Sequence, residues 1–450
     1  MKKLWEKGAP LNSEIEEFTA GRDREADLYL ARYDVLGTLA HTEMLRSIGI
    51  LDDREKTELR NALLEILGTI GEGGFRIEDG VEDVHSQVEK MLTERLGDAG
   101  KKVHTGRSRN DQVSVDLHLF LREELRKTVL AAGDLFNALL LLAKDYRDLL
   151  LPGYTHFQVA MPASFGMWFG SFAEDLTDDM ILLHGAYRIA GQNPLGAAAG
   201  FGTSIPLKRQ MTTRLLGFEA LRYNAMHAMM SRGKLEKTCA QALASLAGTL
   251  ARLAMDVILY MSQNFNFISF PEEYTTGSSI MPHKKNPDVF ELIRARCNRI
   301  KSLPYETDMV TTNLPSGYHR DYQVIKENLF PAFREIRTCM QLAEKVLLRV
   351  SIRKDILEDQ AYKYISSVDQ VNRLVAGGMP FRDAYREIAR QIRNREFTPE
   401  HRFEHTHEGS LGNPCLEEIN SKMESRLKSF EFEKADRALE ALVKTEKQGG

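Results

Sequence analysis

The sequence predicts an all-α protein built around a long central helical bundle. Proline is absent between Pro10 and Pro152, between Pro206 and Pro271, and between Pro331 and Pro380. Such tracts keep every backbone donor and leave room for long helices. Along each tract apolar residues recur with a period near 3.5, the spacing of a bundle seam. No strand-like alternation of comparable length and no tandem repeat competes with that pattern.

The first seam is Leu121, Leu125, Val129, Ala132, Phe136, Leu139, Ala143, Tyr146 and Leu150. It predicts a helix from near Gln112 to Leu150, on the order of 55–60 Å long at 1.5 Å per residue. The second seam is Leu235, Cys239, Ala242, Leu246, Leu250, Leu253, Val257 and Tyr260; the third is Phe333, Ile336, Met340, Ala343, Leu347 and Val350. Leu139 to Leu142 is apolar around most of the helix circumference, and such a helix is expected to be buried on several sides, as where bundles from several subunits pack. The plan that follows is a helical N-terminal domain over 1–105, a central long-helix bundle over 106–350 and a small helical C-terminal domain over 351–450. Asn394 to Asn413, with Pro399 and Glu408-Gly409-Ser410-Leu411-Gly412-Asn413, reads as loop.

Composition narrows the function. A net charge of −4 over 450 residues offers no electrostatic reason to expect nucleic acid or an anionic membrane. The opening Met1-Lys2-Lys3-Leu4-Trp5-Glu6 lacks the apolar run of a signal peptide. The greasiest stretch, Leu135 to Ala143, is too short to span a bilayer, so no membrane segment is expected. Cys239, Cys297, Cys339 and Cys415 are far apart and read as reduced thiols of a cytoplasmic protein.

Polar chemistry is confined to islands between the greasy helices. They are Glu82-Asp83-Val84-His85-Ser86, His104-Thr105-Gly106-Arg107-Ser108-Arg109-Asn110-Asp111-Gln112, Pro152-Gly153-Tyr154-Thr155-His156-Phe157-Gln158, and Thr276-Gly277-Ser278-Ser279-Ile280-Met281-Pro282-His283-Lys284-Lys285-Asn286-Pro287. In the last, Pro287 suits a first helical position and Asn286 an N-cap. A helix N-terminus beside Lys284 and Lys285 suits an anion, and Ser278 or Ser279 would bring a hydroxyl to it; a solvated, ordinarily capped loop is the plainer alternative. Arg107 and Arg109 have the fork geometry for a carboxylate, or are surface arginines. His156 has the ordinary pKa of an acid–base group, although a lone loop histidine, like His85, also serves structure. His405-x-His407 lacks a third ligand, so no metal site is expected.

The string Thr276-Gly277-Ser278-Ser279-Ile280-Met281-Pro282-x-Lys284-x-Asn286-Pro287 resembles the signature of the fumarase/aspartase superfamily, which includes adenylosuccinate lyase, argininosuccinate lyase and delta-crystallin. His104 to Gln112, Gly153 to Gln158, and Leu314-Pro315-Ser316-Gly317-Tyr318 followed by Asp321, Gln323 and Lys326 are similar to the argininosuccinate lyase family in particular. The resemblance runs in order from about Phe18 to Phe381.

It implies a homotetramer with a twenty-helix core, active sites shared between subunits, and cofactor-free β-elimination releasing fumarate from argininosuccinate. Ser278 resembles the base, Lys284 and Asn286 the groups that steady the carboxylate, and His156 beside Thr155 the acid side with Glu291 as its partner. Arg109 and Asn110 resemble ligands of the substrate carboxylates. Tyr318, Gln323 and Lys326 resemble the surroundings of the arginine half, and Asp83 and His85 further pocket positions. Departures are visible too. His283 stands where the family often has glutamine, and histidine there is shared with adenylosuccinate lyase. Phe18-Thr19-Ala20-Gly21-Arg22-Asp23 replaces an Asn-x-Ser pattern, so no family role passes to Asp23. Gly409 to Asn413 replaces a double-glycine segment. Another superfamily enzyme, above all adenylosuccinate lyase, or a crystallin-like structural protein remains as an alternative.

Overall fold

A computed structural model describes residues 12–444, so the Met1–Glu6 stretch lies outside the described residues. Four long helices form the frame: Arg109–Asp145, Phe165–Ala190, Lys234–Met261 and Tyr322–Leu347. Sheet is limited, among the described residues, to three two-stranded ribbons.

The first long helix begins on a reciprocal cap. The Ser108 hydroxyl accepts from the Asn110 N–H at 3.3 Å, and the Asp111 carboxylate accepts from the Ser108 N–H at 2.8 Å. From there the helix runs 37 residues, about 55 Å. It stops short of the expected end: Tyr146 is its C-cap and Leu150 opens a strand. Pro152 disfavours helix in the residue before it, and Leu150–Thr155 instead pairs antiparallel with Gln158–Ser164. The freed carbonyls are reused, because Gly166 N–H donates to Tyr146 O at 3.0 Å and Phe165 N–H to Leu149 O at 2.9 Å. The next helix, Phe165–Ala190, therefore starts against the end of the first, with the Ser164 hydroxyl accepting from Met167 N–H at 3.1 Å.

Lys234–Met261 matches the second seam. Contrary to the expectation that no stretch is apolar enough, Ala225–Met261 is long and apolar enough to cross a membrane, by length and composition alone. In the fold its apolar side chains are used internally: Leu235, Cys239, Leu243, Leu246, Leu250 and Val257 are buried in one core with Phe169, Phe172 and Leu176. The last long helix extends N-terminal to the third seam, straight through Pro331, and ends before Val350. Proline there removes one intrahelical hydrogen bond. Burial of Ile325, Leu329 and Phe330 before it and Phe333 and Ile336 after it holds the helix across the gap.

The same core takes in Leu36, Leu39 and Leu45 of helix Ala31–Ser47, and also Leu416, Ile419 and Met423 of helix Leu416–Lys428. A separate small core of Val371, Ala384, Ile388 and Phe397 joins Ser367–Ala376 to Phe381–Arg393. Asn394 to Asn413 is irregular, as expected.

Gly166 sits against the backbone at the end of the first long helix. A Cβ there would lie 2.6 Å from Arg147 Cα and 2.9 Å from Ala143 O. Gly166→Ala is expected to destabilise the fold by about 1–3 kcal/mol through overpacking. Chemical denaturation checks this; unchanged stability would show that the Arg147 backbone yields to the added methyl group.

Candidate active site

The site is anchored from beneath by a buried charge cluster. Asp83 caps the helix Val84–Leu96, its carboxylate accepting from the Ser86 N–H at 2.8 Å and the Ser86 hydroxyl at 2.6 Å. That cap turns His85 inward, where Nδ1 lies 2.7 Å from Asp34 Oδ1 and 3.5 Å from Asp116 Oδ2. Burial works to lower the His85 pKa, but the charges of Asp34 and Asp116 and the Asp34 hydrogen bond outweigh it and raise it to about 10. His85 is thus an imidazolium tying three helices together, not a group facing a ligand. Asp34, His85 and Asp116 also lie close enough to one another, within 4.8 Å, to hold a metal ion. The His85 proton and the buried Arg107 guanidinium, which feels both aspartates, already supply positive charge there.

The first two polar islands meet directly above this cluster. Arg109 donates to Glu82 Oε2 at 2.7 Å and to Ser86 Oγ at 2.6 Å, and lies 3.3 Å from Asp83 Oδ2. Burial alone would raise the Asp83 pKa; the charges of His85 and Arg109 and the Ser86 hydrogen bonds hold it below the usual carboxylate range. Asn110 is half-buried in the first turn of the long helix beside Arg109. Arg320 reaches Glu82 Oε1 at 3.3 Å, which brings the chain around Tyr318 to the same place.

Tyr318 lies under the buried Arg232, whose guanidinium is 5.8 Å from the ring centroid. Arg232 is in turn held by Glu236 at 2.7 Å. Lys326 is 2% exposed and its ammonium contacts both Asp23 and Asp27, the latter at 2.8 Å. Burial opposes its charge, but Asp27 and Asp23 more than compensate and lift its pKa above that of an ordinary lysine. The Gln323 amide donates to Asp23 at 2.5 Å. Asp83, Arg109, Asn110, Tyr318, Gln323 and Lys326 thus belong to one region of a single chain.

The remaining expected residues stand apart from it. Thr155 and His156 sit at the tip of the β-hairpin, where Thr155 pairs with Gln158 around His156 and Phe157. His156 (φ 52°) and Phe157 (φ 56°) both adopt the left-handed conformation of a type I′ turn, unusual for non-glycine residues. Both are exposed, Phe157 by 78%.

The Ser278 loop is closed at its neck by backbone pairing of Thr276 with Asn286. Within it the Ser278 Oγ accepts from the Ile280 N–H at 3.3 Å and the Met281 N–H at 3.1 Å. The Lys284 side chain is exposed on the same loop. Pro287, not Asn286, holds the cap position, and the helix begins at Asp288. The Asn286 amide instead spans the loop, donating to Gly277 O at 3.2 Å. Glu291 is exposed on the first turn of that helix. Ile280, at the tip, is 86% exposed. His405 pairs with Asp369 at 2.7 Å and has a structural partner.

Sequence reasoning gave no role to Asp34, Asp116, Glu82, Ser86, Asp27 or Arg232. A usable signal existed for Asp116: with Ser114 and His118 it interrupts an apolar run, Val113 to Leu121, in a helix expected to be buried. Since the folded His85 pKa lies above its unfolded value of about 6.5, its contribution to stability is complete below about pH 6.5 and is lost as pH rises towards about 10. His85→Gln is expected to lower stability at neutral pH and to flatten its decline across that window. Denaturation midpoints between pH 6 and pH 10 test it; parallel pH curves for the two proteins would refute the clamp.

The family model described as Lyase matches residues 13–301. The chain is 54% identical to the argininosuccinate lyase of Phocaeicola vulgatus, covering 97% of this chain and 99% of that one. It is 53% identical to that of Bacteroides thetaiotaomicron with the same coverage, and 36% identical to that of Thermotoga neapolitana over 86% of this chain and 97% of that one. Among solved structures, EDDS lyase in complex with formate aligns with a TM-score of 0.74 at 21% identity over 97% of this chain and 94% of that one. The class II fumarase from Schistosoma mansoni aligns at 0.68 and 15% over 92% and 95%. Those two likenesses show the shared fold. With the ordered polar islands and relatives matched over nearly their whole length, the chain belongs to the argininosuccinate lyase family.

Proposed function

We propose that this chain catalyses the reversible β-elimination of argininosuccinate to arginine and fumarate, with Ser278 as the base. The observation that carries this is the pair of backbone N–H groups aimed at Ser278 Oγ. A serine hydroxyl is a poor base unless its alkoxide is stabilised, and donated hydrogen bonds favour the charged form. Lys284 on the same loop adds a full positive charge.

The reaction removes a proton beside a carboxylate and drives a second negative charge onto it. Fixed cations and amide donors directed there lower the barrier most. We assign that task to Lys284 and Asn286, and anchoring of the succinyl carboxylates to Arg109, Asn110 and Thr155. The departing guanidine nitrogen takes up a proton as its C–N bond breaks, and we assign that acid side to His156, with Glu291 as its partner. Tyr318, Gln323 and Lys326 form the subsite for the amino-acid head of the arginine half. Asp83 holds Arg109, and His85 sets Asp83 from behind.

The assembly we propose is a homotetramer in which the hairpin and the Ser278 loop meet from different subunits. Three features support it: His156 and Ser278 are not joined within one chain, their loop tips expose Phe157 and Ile280, and the long helices leave Leu130, Leu141, Ile181 and Leu182 exposed. All four cysteines are free thiols, which suits a reducing cytoplasm.

Ser278→Ala is expected to lower kcat about 10²- to 10⁴-fold with substrate still bound, and Ser279→Ala much less. Retained turnover in the first variant would remove Ser278 from the base role. Inactive His156→Ala and Ser278→Ala proteins, denatured and refolded together, should regain part of the activity; a mixture that forms mixed tetramers yet stays inactive would refute shared sites. Fumarate release from argininosuccinate should exceed that from adenylosuccinate by about 10⁴ in kcat/KM, because Gln323 and Lys326 suit an amino-acid head and offer no cluster of cations for a phosphate. A higher value for adenylosuccinate would overturn the substrate assignment.

A further inference from the structure

We propose that Asp23 is a built-in stand-in for the α-carboxylate of the substrate's arginine half, occupying Lys326 and Gln323 in the empty site and leaving them when substrate binds. The proposal rests on the subsite assigned above to those two residues. One Asp23 oxygen contacts the Lys326 ammonium and the other accepts from the Gln323 amide at 2.5 Å. That is the two-point capture, one cation and one amide, that a free α-carboxylate would meet in the same place.

The local charge balance marks Asp23 as the displaceable partner. Lys326 faces two carboxylates where one would neutralise it. Asp27 is 3% exposed and donor-bound at 2.8 Å, at the inner end of the short helix Asp23–Asp27. Burial pushes the Asp27 carboxyl up, Lys326 pulls it down, and the neighbouring charge of Asp23 pushes it up again. Asp23 opens that helix, half-buried, just after the turn at Gly21 (φ 49°). The backbone there is held in place by Arg24, which is anchored to Val81 O at 3.1 Å and Glu78 O at 3.0 Å.

An incoming α-carboxylate would then exchange one anion for another on Lys326, leaving that buried ammonium paired throughout. A buried cation with no partner is strongly disfavoured, so the exchange keeps the empty site stable. The cost is affinity: substrate must compete with a tethered anion, and apparent binding weakens by the fraction of sites that Asp23 leaves open.

The test uses the full chain with Asp23→Asn and Asp23→Ser, leaving Asp27 intact. The KM for argininosuccinate and the inhibition constant of arginine should both fall, by roughly three- to tenfold, while kcat moves less. In a Lys326→Gln background the Asp23 substitutions should no longer shift either constant, because the competition has lost its object. A KM that rises or stays put in the folded Asn or Ser variant would overturn the proposal: a rise would make Asp23 a substrate ligand, and no change a bystander. Failure of the unsubstituted chain to release fumarate from argininosuccinate would count against the proposed reaction instead. An active chain with unmoved constants in the variants counts against Asp23 alone.

Discussion

The His85 imidazolium joins Asp34, on the helix Ala31–Ser47, to Asp116, on the first turns of the longest helix, at a point sealed from solvent. Placing ions in a low-dielectric interior is costly unless each is paired, and removing one partner costs more than the pair is worth. The three helices therefore cannot slide relative to one another without exposing an uncompensated charge. Asp83 lies two residues before His85 and Arg109 seven before Asp116 in the same helix system, so their side chains inherit that rigidity. The surface proposed to bind carboxylates is built on a locked base.

The rest of the architecture follows from long helices that each bury a broad apolar face. Some of their buried polar groups are paired within the bundle, as Asp179 is with Ser245 and Thr249. The polar islands stand at the helix ends: the cap at Ser108, the hairpin after Tyr146, and the loop before Asp288. The Ser108 cap and the hairpin stand at opposite ends of one helix of about 55 Å, and that length keeps the residues around Arg109 apart from the His156 hairpin within one chain.

The projecting hairpin holds two adjacent left-handed residues. His156 and Phe157 both take up left-handed geometry that glycine or asparagine would adopt more readily. Holding a histidine there costs stability. The Ser278 loop uses a different device, backbone N–H groups turned onto one hydroxyl, and needs no left-handed residue within it.

Much of this was determined by the sequence alone. Apolar periodicity and proline placement are local properties, so they marked the helical class, the long helix near 234–261 and the later part, from Phe333, of the helix Tyr322–Leu347. Polar islands between greasy runs marked nearly every residue of the proposed site, and their order carried the family resemblance. Local signals failed where the outcome depended on partners distant in sequence. The seam continued through Tyr146 to Leu150, but strand pairing with Ser164 ended the helix first. Asn286 looked like a cap, yet the loop neck claimed its amide. His85 looked like a pocket residue until Asp34, from 51 positions away, drew it inward. Asp23 had no readable role because its meaning lies in Lys326 and Gln323, some 300 residues on. Periodicity reports which face of a helix is buried; only tertiary packing decides which buried charge meets which, because an ion pair is set by distance in space and not along the chain.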